Sequence, residues 1–270
     1  MRHAGAAAAP TTAVSCLSTW GSEPALRDDS AARPVSEPSA AEVAERLEKV
    51  RDRVRRAAAA AGRDPAGIRL LAVTKGHSVD AVATAASLGL RDIGESRVQE
   101  AQGKRSAFAG GDVTWHMIGH LQRNKARAAA TLFDVVHSVD GIALAAALAR
   151  HRTGAPTPLR VFVEVELTGI AGRTGATPDE TPALLDELCA LAELEVAGLM
   201  TIAPPGAPEL ADDCFARLRD LRDALRDRQG MTLDGLSMGM SDDFEIAIAH
   251  GATVIRLGRV LFGNGLVAGR

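Results

Sequence analysis

The chain has 270 residues, of which 46% are hydrophobic and 24% are charged, enough apolar material for one large globular domain or two small ones. Its formal net charge of −3 at pH 7 argues against nucleic acid or an anionic membrane as a partner, because both attract basic proteins. No stretch of the sequence is long and apolar enough to cross a bilayer as a helix. The three cysteines show no CxxC spacing, which predicts a reduced, cytoplasmic protein without a metal site.

The first part of the sequence is compositionally different from the rest. Residues 1–38 are rich in Ala, Pro, Ser and Thr and show little periodicity, which predicts a disordered tail before a domain at 39–270. A signal peptide and an over-extended reading frame are the competing interpretations of this tail. The Ala6–Ala9 run is short and is ended by Pro10, which argues against a signal peptide.

A helix is predicted directly after this segment. Ser39 followed three residues later by Glu42 forms a capping box, which marks the start of a helix. Apolar residues then recur at helical spacing on one face, namely Val43, Leu47, Val50 and Val54. Gly62 is expected to end this helix.

After Gly62, strand-like apolar runs alternate with helical segments. The predicted strands are Ile68–Thr74, Leu90–Gly94, Thr114–Gly119, Val135–Val139, Leu159–Leu167, Leu194–Ile202, Leu233–Met238 and Thr253–Leu257. Eight such units in about 230 residues predict an α/β fold, a single (β/α)₈ TIM barrel. An open doubly wound sheet is the alternative, although the sequence contains neither a GxGxxG fingerprint nor a P-loop.

Polar residues that suit a binding site cluster at the predicted strand ends. Lys75 ends the first strand and Ser96 follows the second, whereas the segment 237–241 follows the seventh strand and 256–258 closes the eighth. Functional side chains of a barrel lie at the carboxyl ends of its strands, and the last two loops commonly bind phosphate. The sequence therefore predicts a phosphate cradle made of backbone N–H groups, a serine hydroxyl and the Arg256 guanidinium.

Lys75 adds a reactive amine to this edge of the barrel. Only four of the 31 basic residues are lysines, and a lysine beside a phosphate cradle suggests a phosphorylated aldehyde cofactor held as a Schiff base. Partial burial of Lys75 next to Arg256 would favour its free amine. The competing interpretation is a solvated lysine at a strand-to-helix turn.

The other candidate residues also have structural interpretations. Arg256 could form a salt bridge with Asp242 or Asp243 instead of binding a phosphate. Ser241 could cap a helix that begins near Asp242, and we expect the two aspartate side chains to point to solvent. His116 lies in an apolar strand, which favours a hydrogen-bonded core histidine over a ligand.

Four motifs, taken together and in this order, resemble the pyridoxal phosphate homeostasis protein family, whose members are also called proline-synthase co-transcribed proteins. The motifs are Leu71–Lys75, Trp115–Lys125, Gly198–Ile202, and Ser237–Glu245 with Ile255–Gly258. The resemblance covers roughly residues 40 to 264, which is nearly the whole predicted domain. It implies a barrel of the alanine racemase N-terminal-domain type.

The resemblance also implies a cofactor and its site. Pyridoxal 5′-phosphate (PLP) would be held as an aldimine on the lysine that matches Lys75. The matching cofactor-binding residues would be Ser96, Ser237, Met240, Ser241, Arg256 and Gly258. The family buffers and delivers the cofactor, affects amino-acid and keto-acid balance, and has no established catalytic reaction. The implied partners are the small-molecule cofactor and recipient PLP-dependent apoenzymes, and the implied state is a monomer.

The sequence departs from the family pattern after the second predicted strand. The family usually has Gly-Glu-Asn-Tyr, where this chain has Gly-Glu-Ser-Arg at 94–97, so an amide and an aromatic ring near the cofactor are replaced. His120 also stands where the family commonly has proline or serine.

A PLP-dependent racemase-like enzyme that uses a single lysine base is the alternative function. Racemases of this fold pair the lysine with a tyrosine and carry a C-terminal β-domain, whereas this sequence has no tyrosine and ends shortly after its last predicted strand. A binding module without a cofactor is a third possibility. Visible absorption from bound cofactor distinguishes this third possibility from the other two.

Overall fold

The structure is a computed structural model that describes residues 37–229 and 232–265. Eight strands pair in chain order, and β8 pairs with β1, so the sheet is a closed parallel barrel. The strands are β1 Arg69–Val73, β2 Asp92–Glu95, β3 Thr114–Met117, β4 Val135–Val139, β5 Leu159–Glu164, β6 Leu194–Met200, β7 Gly235–Ser237 and β8 Val254–Leu257. The predicted TIM barrel is confirmed, and the open doubly wound sheet is excluded.

Helices follow the strands and cover the outside of the barrel. In the described part of the chain the α-helices are α1 Ala40–Ala60, α2 Val79–Ser87, α3 Val98–Ala107, α4 Ala126–Leu132, α5 Ile142–Arg152, α6 Thr181–Cys189, α7 Pro208–Gln229, α8 Phe244–Ala249 and α9 Arg259–Phe262. Short 3₁₀ helices at Pro65–Gly67 and Arg123–Lys125 complete the set. No described helix has both the length and the apolar character needed to span a membrane.

Helix α1 begins where the capping box predicts. The Glu42 N–H donates to the Ser39 hydroxyl oxygen at 3.3 Å, and the Ser39 N–H donates to the Glu42 carboxylate at 2.8 Å. All four apolar residues of the predicted face are buried. The helix ends at Ala60, and Gly62 then adopts a φ of 65°, a conformation that glycine reaches without steric cost. Local sequence chemistry therefore sets both ends of this helix.

The predicted strands are correct in number and order, the fourth has the predicted bounds, and the other seven are shorter than predicted. The clearest case is β5, which was expected to reach Leu167 and ends at Glu164. Beyond Glu164 the chain makes only an isolated bridge, between Val165 and Ala176. The apolar run continues because Val165 and Leu167 are buried, so hydrophobicity alone does not mark the end of strand pairing.

The interior of the barrel carries its own small apolar cluster, which consists of Leu71, Val73, Val135, Phe162, Met200 and Val254. Polar side chains on the strands are buried beside it, including His116, His137, Ser237 and Arg256. Buried polar groups are costly unless they are hydrogen-bonded. The contacts of these four side chains therefore determine how the site above them is built.

The predicted tail at 1–38 lies outside the described residues except for its last two positions. Glu37 is described, and its carboxylate accepts hydrogen bonds from the Ser78 backbone N–H and, at 2.8 Å, from the Ser78 hydroxyl. Ser78 also caps α2 through the Asp80 N–H. Glu37 is therefore attached to the start of a barrel helix.

Candidate functional site

A pocket of about 310 Å³ opens at the carboxyl ends of the strands. It lies at the low end of the range typical of ligand sites, roughly 300–1,000 Å³, and suits a small ligand. Six of the seven predicted binding residues line it, namely Lys75, Ser96, Met240, Ser241, Arg256 and Gly258. Larger depressions of about 620 and 710 Å³ are lined by side chains of the outer helices and their connections, away from the strand ends.

Ser237 is the predicted site residue that does not line this pocket. It is fully buried at the end of β7. Its hydroxyl lies 2.8 Å from His137 Nδ1 and accepts a hydrogen bond from Arg256 Nη1 at 2.8 Å. Ser237 therefore contacts Arg256, which lines the pocket, and its predicted contact with a phosphate stays a prediction. The strand pleat explains why Ser237 does not line the pocket, because this side chain turns into the barrel instead of toward its mouth.

Arg256 is held by hydrogen bonds and not by an ion pair. Nη1 donates to the Ser237 carbonyl at 2.7 Å as well as to the Ser237 hydroxyl, and Nη2 donates to the Thr201 carbonyl at 2.8 Å. The alternative salt bridge with Asp242 or Asp243 is therefore not formed. Burial lowers the Arg256 pKa to about 10, so the group stays positive at neutral pH.

The guanidinium keeps donors for a ligand. A guanidinium has five N–H groups, and three of them are used in the contacts with Ser237 and Thr201. Within residues 37–229 and 232–265 the other two have no acceptor. The Arg256 side chain is only 4% exposed, and it lines the pocket. Unsatisfied charged donors beside a pocket favour an electron-rich ligand.

The loop after β7 has a conformation that requires glycine. Gly239 has a φ of 92°, and a Cβ there would lie 2.6 Å from Ala247 Cβ. The next N–H, that of Met240, donates to Asp243 Oδ1 at 2.5 Å. Asp243 is therefore buried and bonded, and the expectation that its side chain points to solvent is wrong. Burial raises the pKa of Asp243 above its ordinary value.

Ser241 has a different partner from the predicted one. Helix α8 begins at Phe244 without a side-chain cap, whereas the Ser241 hydroxyl accepts from the Val260 N–H at 3.2 Å and so joins the β7 loop to α9. Asp242 faces solvent as expected and pairs with Arg259, which neutralises charge at the rim. The backbone N–H groups of Ser241, Asp242 and Arg259 donate to no acceptor in the described part of the chain. Together they form a cradle suited to an anion.

Lys75 lines the same pocket, beyond the end of β1, the strand that pairs with β8. It lies two residues after the end of β1, and Gly76 then turns the chain with a φ of 75°. The Lys75 side chain is exposed, so the expected partial burial is wrong. Its amine has no hydrogen-bond or ion-pair partner among residues 37–229 and 232–265. The Lys75 side chain is therefore accessible at the mouth of the barrel and has no competing partner there in the described part of the chain.

A second lysine, Lys104, stabilises the backbone next to Lys75, and this role was not predicted from the sequence. Lys104 on α3 is 6% exposed. Its ammonium donates to the Thr74 carbonyl, Glu95 Oε1 and Glu100 Oε1, each at 2.7 Å. Glu100 also accepts from the Gly76 N–H at 2.6 Å. The residues on both sides of Lys75 are thereby fixed. The spacing of four between Glu100 and Lys104 was the available signal.

The prediction that His116 is a hydrogen-bonded core histidine is confirmed. The residue is 2% exposed. Its Nε2 lies 2.9 Å from Asp92 Oδ1 and its Nδ1 lies 2.9 Å from His137 Nε2. The sequence analysis did not single out His137, because nothing local indicates that β3 and β4 place these rings together.

The closed eight-stranded parallel barrel belongs to the alanine racemase N-terminal-domain type. The family model for the alanine racemase N-terminal domain matches residues 46–265. A solved alanine racemase from Clostridium difficile shares the fold, with a TM-score of 0.66 at 15% identity over 82% of this chain and 56% of that one.

Closer relatives identify the family. The pyridoxal phosphate homeostasis protein of Pseudomonas aeruginosa is 46% identical over 222 residues, which are 82% of this chain and 95% of the relative. The Escherichia coli protein of the same name is 36% identical over 82% of this chain and 96% of its own length. PipY of Synechococcus elongatus, solved with PLP bound, has a TM-score of 0.73 at 38% identity, covering 82% of this chain and all of PipY. This chain belongs to the pyridoxal phosphate homeostasis protein family.

Proposed function

We propose that this protein binds pyridoxal 5′-phosphate in the pocket at the carboxyl end of the barrel and buffers and delivers it within the cell. The observation that carries the proposal is that a free lysine amine and an anion cradle line one pocket of about 310 Å³. The similar protein PipY has a structure with PLP bound. A balance of amino acids and keto acids would depend on this supply, because enzymes that interconvert them use the cofactor.

The residues of the pocket fit the two ends of this cofactor. When bound, PLP supplies an aldehyde that condenses with a primary amine. Lys75 provides that amine at the end of β1. The Ser241 hydroxyl and the unpaired N–H groups of Ser241, Asp242 and Arg259 suit a phosphate, and Arg256 adds positive charge and two N–H donors. Ser96 and Met240 also line the pocket.

The site favours a carrier over a racemase. A two-base racemase of this fold needs a tyrosine opposite its lysine, and the 270-residue sequence contains none. Lys75 is also exposed, so water reaches the amine, which suits release of the cofactor better than protection of a reactive intermediate. We therefore propose that the protein has no dedicated catalytic reaction.

The proposal extends to partners and location. An open mouth with an exposed Lys75 suits transfer of the cofactor to recipient PLP-dependent apoenzymes. We propose that the protein works as a monomer in the cytoplasm. Cys189 and Cys214 are free thiols in the described part of the chain, which agrees with a reducing compartment.

Borohydride reduction followed by peptide mapping tests this function. Purified protein incubated with PLP should be yellow, and reduction should fix a phosphopyridoxyl group on Lys75. Lys75→Ala should abolish the label, whereas Lys49→Ala, which removes an exposed lysine on α1, should leave it unchanged. A label found only on other lysines, or no visible absorption after cofactor addition, overturns the proposed site. Turnover of an amino acid that is lost in Lys75→Ala would instead support the racemase alternative.

A further inference from the structure

A line of polar side chains, all buried except the half-buried Asp92, runs through the barrel behind Arg256. Asp92 Oδ1 lies 2.9 Å from His116 Nε2, and His116 Nδ1 lies 2.9 Å from His137 Nε2. His137 Nδ1 lies 2.8 Å from the Ser237 hydroxyl oxygen. The same oxygen accepts a hydrogen bond from Arg256 Nη1 at 2.8 Å. Asp92 is the first residue of β2, at the opposite end of the barrel from the pocket. The line therefore joins the two ends of the barrel.

An ionised Asp92 and two neutral imidazoles fix the direction of every hydrogen bond from Asp92 to Ser237. Arg256 only donates, and an ionised Asp92 only accepts. A neutral imidazole donates from one nitrogen and accepts at the other. His116 must therefore donate from Nε2 to Asp92 and accept at Nδ1. His137 must in turn donate from Nε2, accept at Nδ1, and receive the hydroxyl proton of Ser237.

The charge states of the described groups agree with this direction. Burial acts to raise the Asp92 pKa, but the hydrogen bond from His116 and nearby positive charges outweigh it and lower the pKa. Burial lowers the pKa of His116 and lowers that of His137 well below its ordinary value, so both rings are neutral at neutral pH. If His116 were charged, it would donate from both of its ring nitrogens. His137 would then accept at Nε2 and donate from Nδ1 to the Ser237 hydroxyl, which is the reverse direction.

We propose that Asp92, His116, His137 and Ser237 form a directed hydrogen-bond chain that positions the Arg256 guanidinium in the pocket. The chain orients Arg256 and does not deliver protons, because arginine keeps its own proton. Asp92 and the two histidines are thus positioning residues for a ligand that they do not touch. This inference rests on the proposed function only where it assigns PLP as the ligand that Arg256 faces.

The direction of the chain is measured in the unmodified protein without ligand, and variants serve only to assign the signals. Long-range ¹H–¹⁵N correlation spectra of histidine-labelled protein report which ring nitrogen carries the proton in each of the seven histidines. His116 and His137, assigned with the His116→Asn and His137→Asn variants, should both be neutral Nε2–H tautomers near neutral pH. A His137 ring protonated at Nδ1, or a charged His116, overturns the chain.

Substitution at the remote end tests whether the chain acts on the pocket. Asp92→Leu removes the last acceptor and should shift the His137 signals and weaken PLP retention by about two- to tenfold, as expected for one net hydrogen bond. Asp92→Asn keeps an acceptor oxygen and should restore most of the affinity and the tautomers. Asp134→Leu is the matched control, because Asp134 precedes β4 at the same end and bonds the Trp115 N–H instead.

The outcomes separate this inference from the proposed function. If the tautomers are as stated but PLP does not bind, the proposed function fails and the directed chain stands. If PLP binds and Asp92→Leu moves neither the His137 signals nor the affinity, or moves them no more than Asp134→Leu does, the positioning role is overturned. Should Asp92→Leu fail to fold, the tautomer spectra of the unmodified protein still decide the direction of the chain.

Discussion

The two sides of the pocket each contain a buried cation, and the two cations are held in opposite ways. On the β1 side, the Lys104 ammonium contacts two carboxylates, those of Glu95 and Glu100, at 2.7 Å. On the β8 side, the Arg256 guanidinium contacts two carbonyls and a hydroxyl but no carboxylate. Lys104 is thus neutralised locally, whereas the charge of Arg256 is left for the pocket.

This difference separates a structural cation from a ligand-facing one. A buried ion pair that is fully bonded contributes little field beyond itself, and its main requirement is that neither partner is removed. A buried cation bonded only to neutral groups keeps its attraction for electron-rich ligands. The β1 side therefore serves to hold Lys75 in place, and the β8 side serves to attract the ligand.

The largest effect is expected on the structural side. Lys104→Met leaves the Glu95 carboxylate, which is fully buried, without its cation, and should lower the free energy of unfolding by about 3–5 kcal/mol. Urea unfolding measures this. Lys49→Met is the matched control, because its pair with Glu45 is exposed, and it should cost less than about 1 kcal/mol. Equal losses in the two variants would show that the Lys104 cluster is not a structural ion pair.

Glu164 is a buried carboxylic acid on β5, and the free energy of unfolding depends on pH through it. It ends β5, and burial followed by the nearby Asp140 charge raises its pKa from 4.5 to about 7. The folded protein therefore prefers the neutral acid, and stability falls as pH rises from about 4.5 through 7. Because protonation of Glu164 is linked to folding, the free energy of unfolding falls by about 3 kcal/mol over this pH range. Glu164→Gln, which mimics the neutral acid, should lack this loss in urea unfolding at pH 8, and parallel stability curves for the two proteins would contradict the assignment.

Arg256→Gln should weaken PLP binding without the large loss of stability expected for Lys104→Met. Removing a charge-assisted contact costs about 1.5–3 kcal/mol, which is roughly ten- to a hundredfold in affinity. Equilibrium titration of the cofactor absorbance measures the dissociation constant. Arg259→Gln is the control within the same pocket, because Arg259 is exposed and already paired with Asp242. An unchanged dissociation constant for Arg256→Gln would show that Arg256 has a structural role only.

The sequence predicted what local patterns determine. Strand number, the capping box at Ser39 and the positions of Lys75 and Ser241 at the pocket all follow from periodicity and from the rule that barrel sites lie at strand ends. Burial of Lys104 and the pairing of His116 with His137 do not follow in this way. These contacts join different strands and helices across the closed barrel, so their partners are distant in sequence.

Asp243 and Ser237 show a second limit. Asp243, which itself lines the pocket, was expected to face solvent, and Ser237 was assigned to the phosphate site through the family resemblance. In the structure, Asp243 bonds the Met240 N–H and Ser237 bonds Arg256. Both side chains fix the backbone or the side chain of a neighbour that lines the pocket. Single-residue patterns do not distinguish a group that contacts a ligand from one that holds its neighbour.

The most direct test of the account compares PLP with pyridoxal, which lacks the phosphate. We predict that Ser241→Ala weakens PLP binding by about fivefold, as expected for about 1 kcal/mol, and leaves pyridoxal binding unchanged. Lys75→Ala should weaken the binding of both compounds, because both carry the aldehyde. If Ser241→Ala affected the two compounds equally, or Lys75→Ala affected neither, the two sides of the pocket would not hold opposite ends of one ligand.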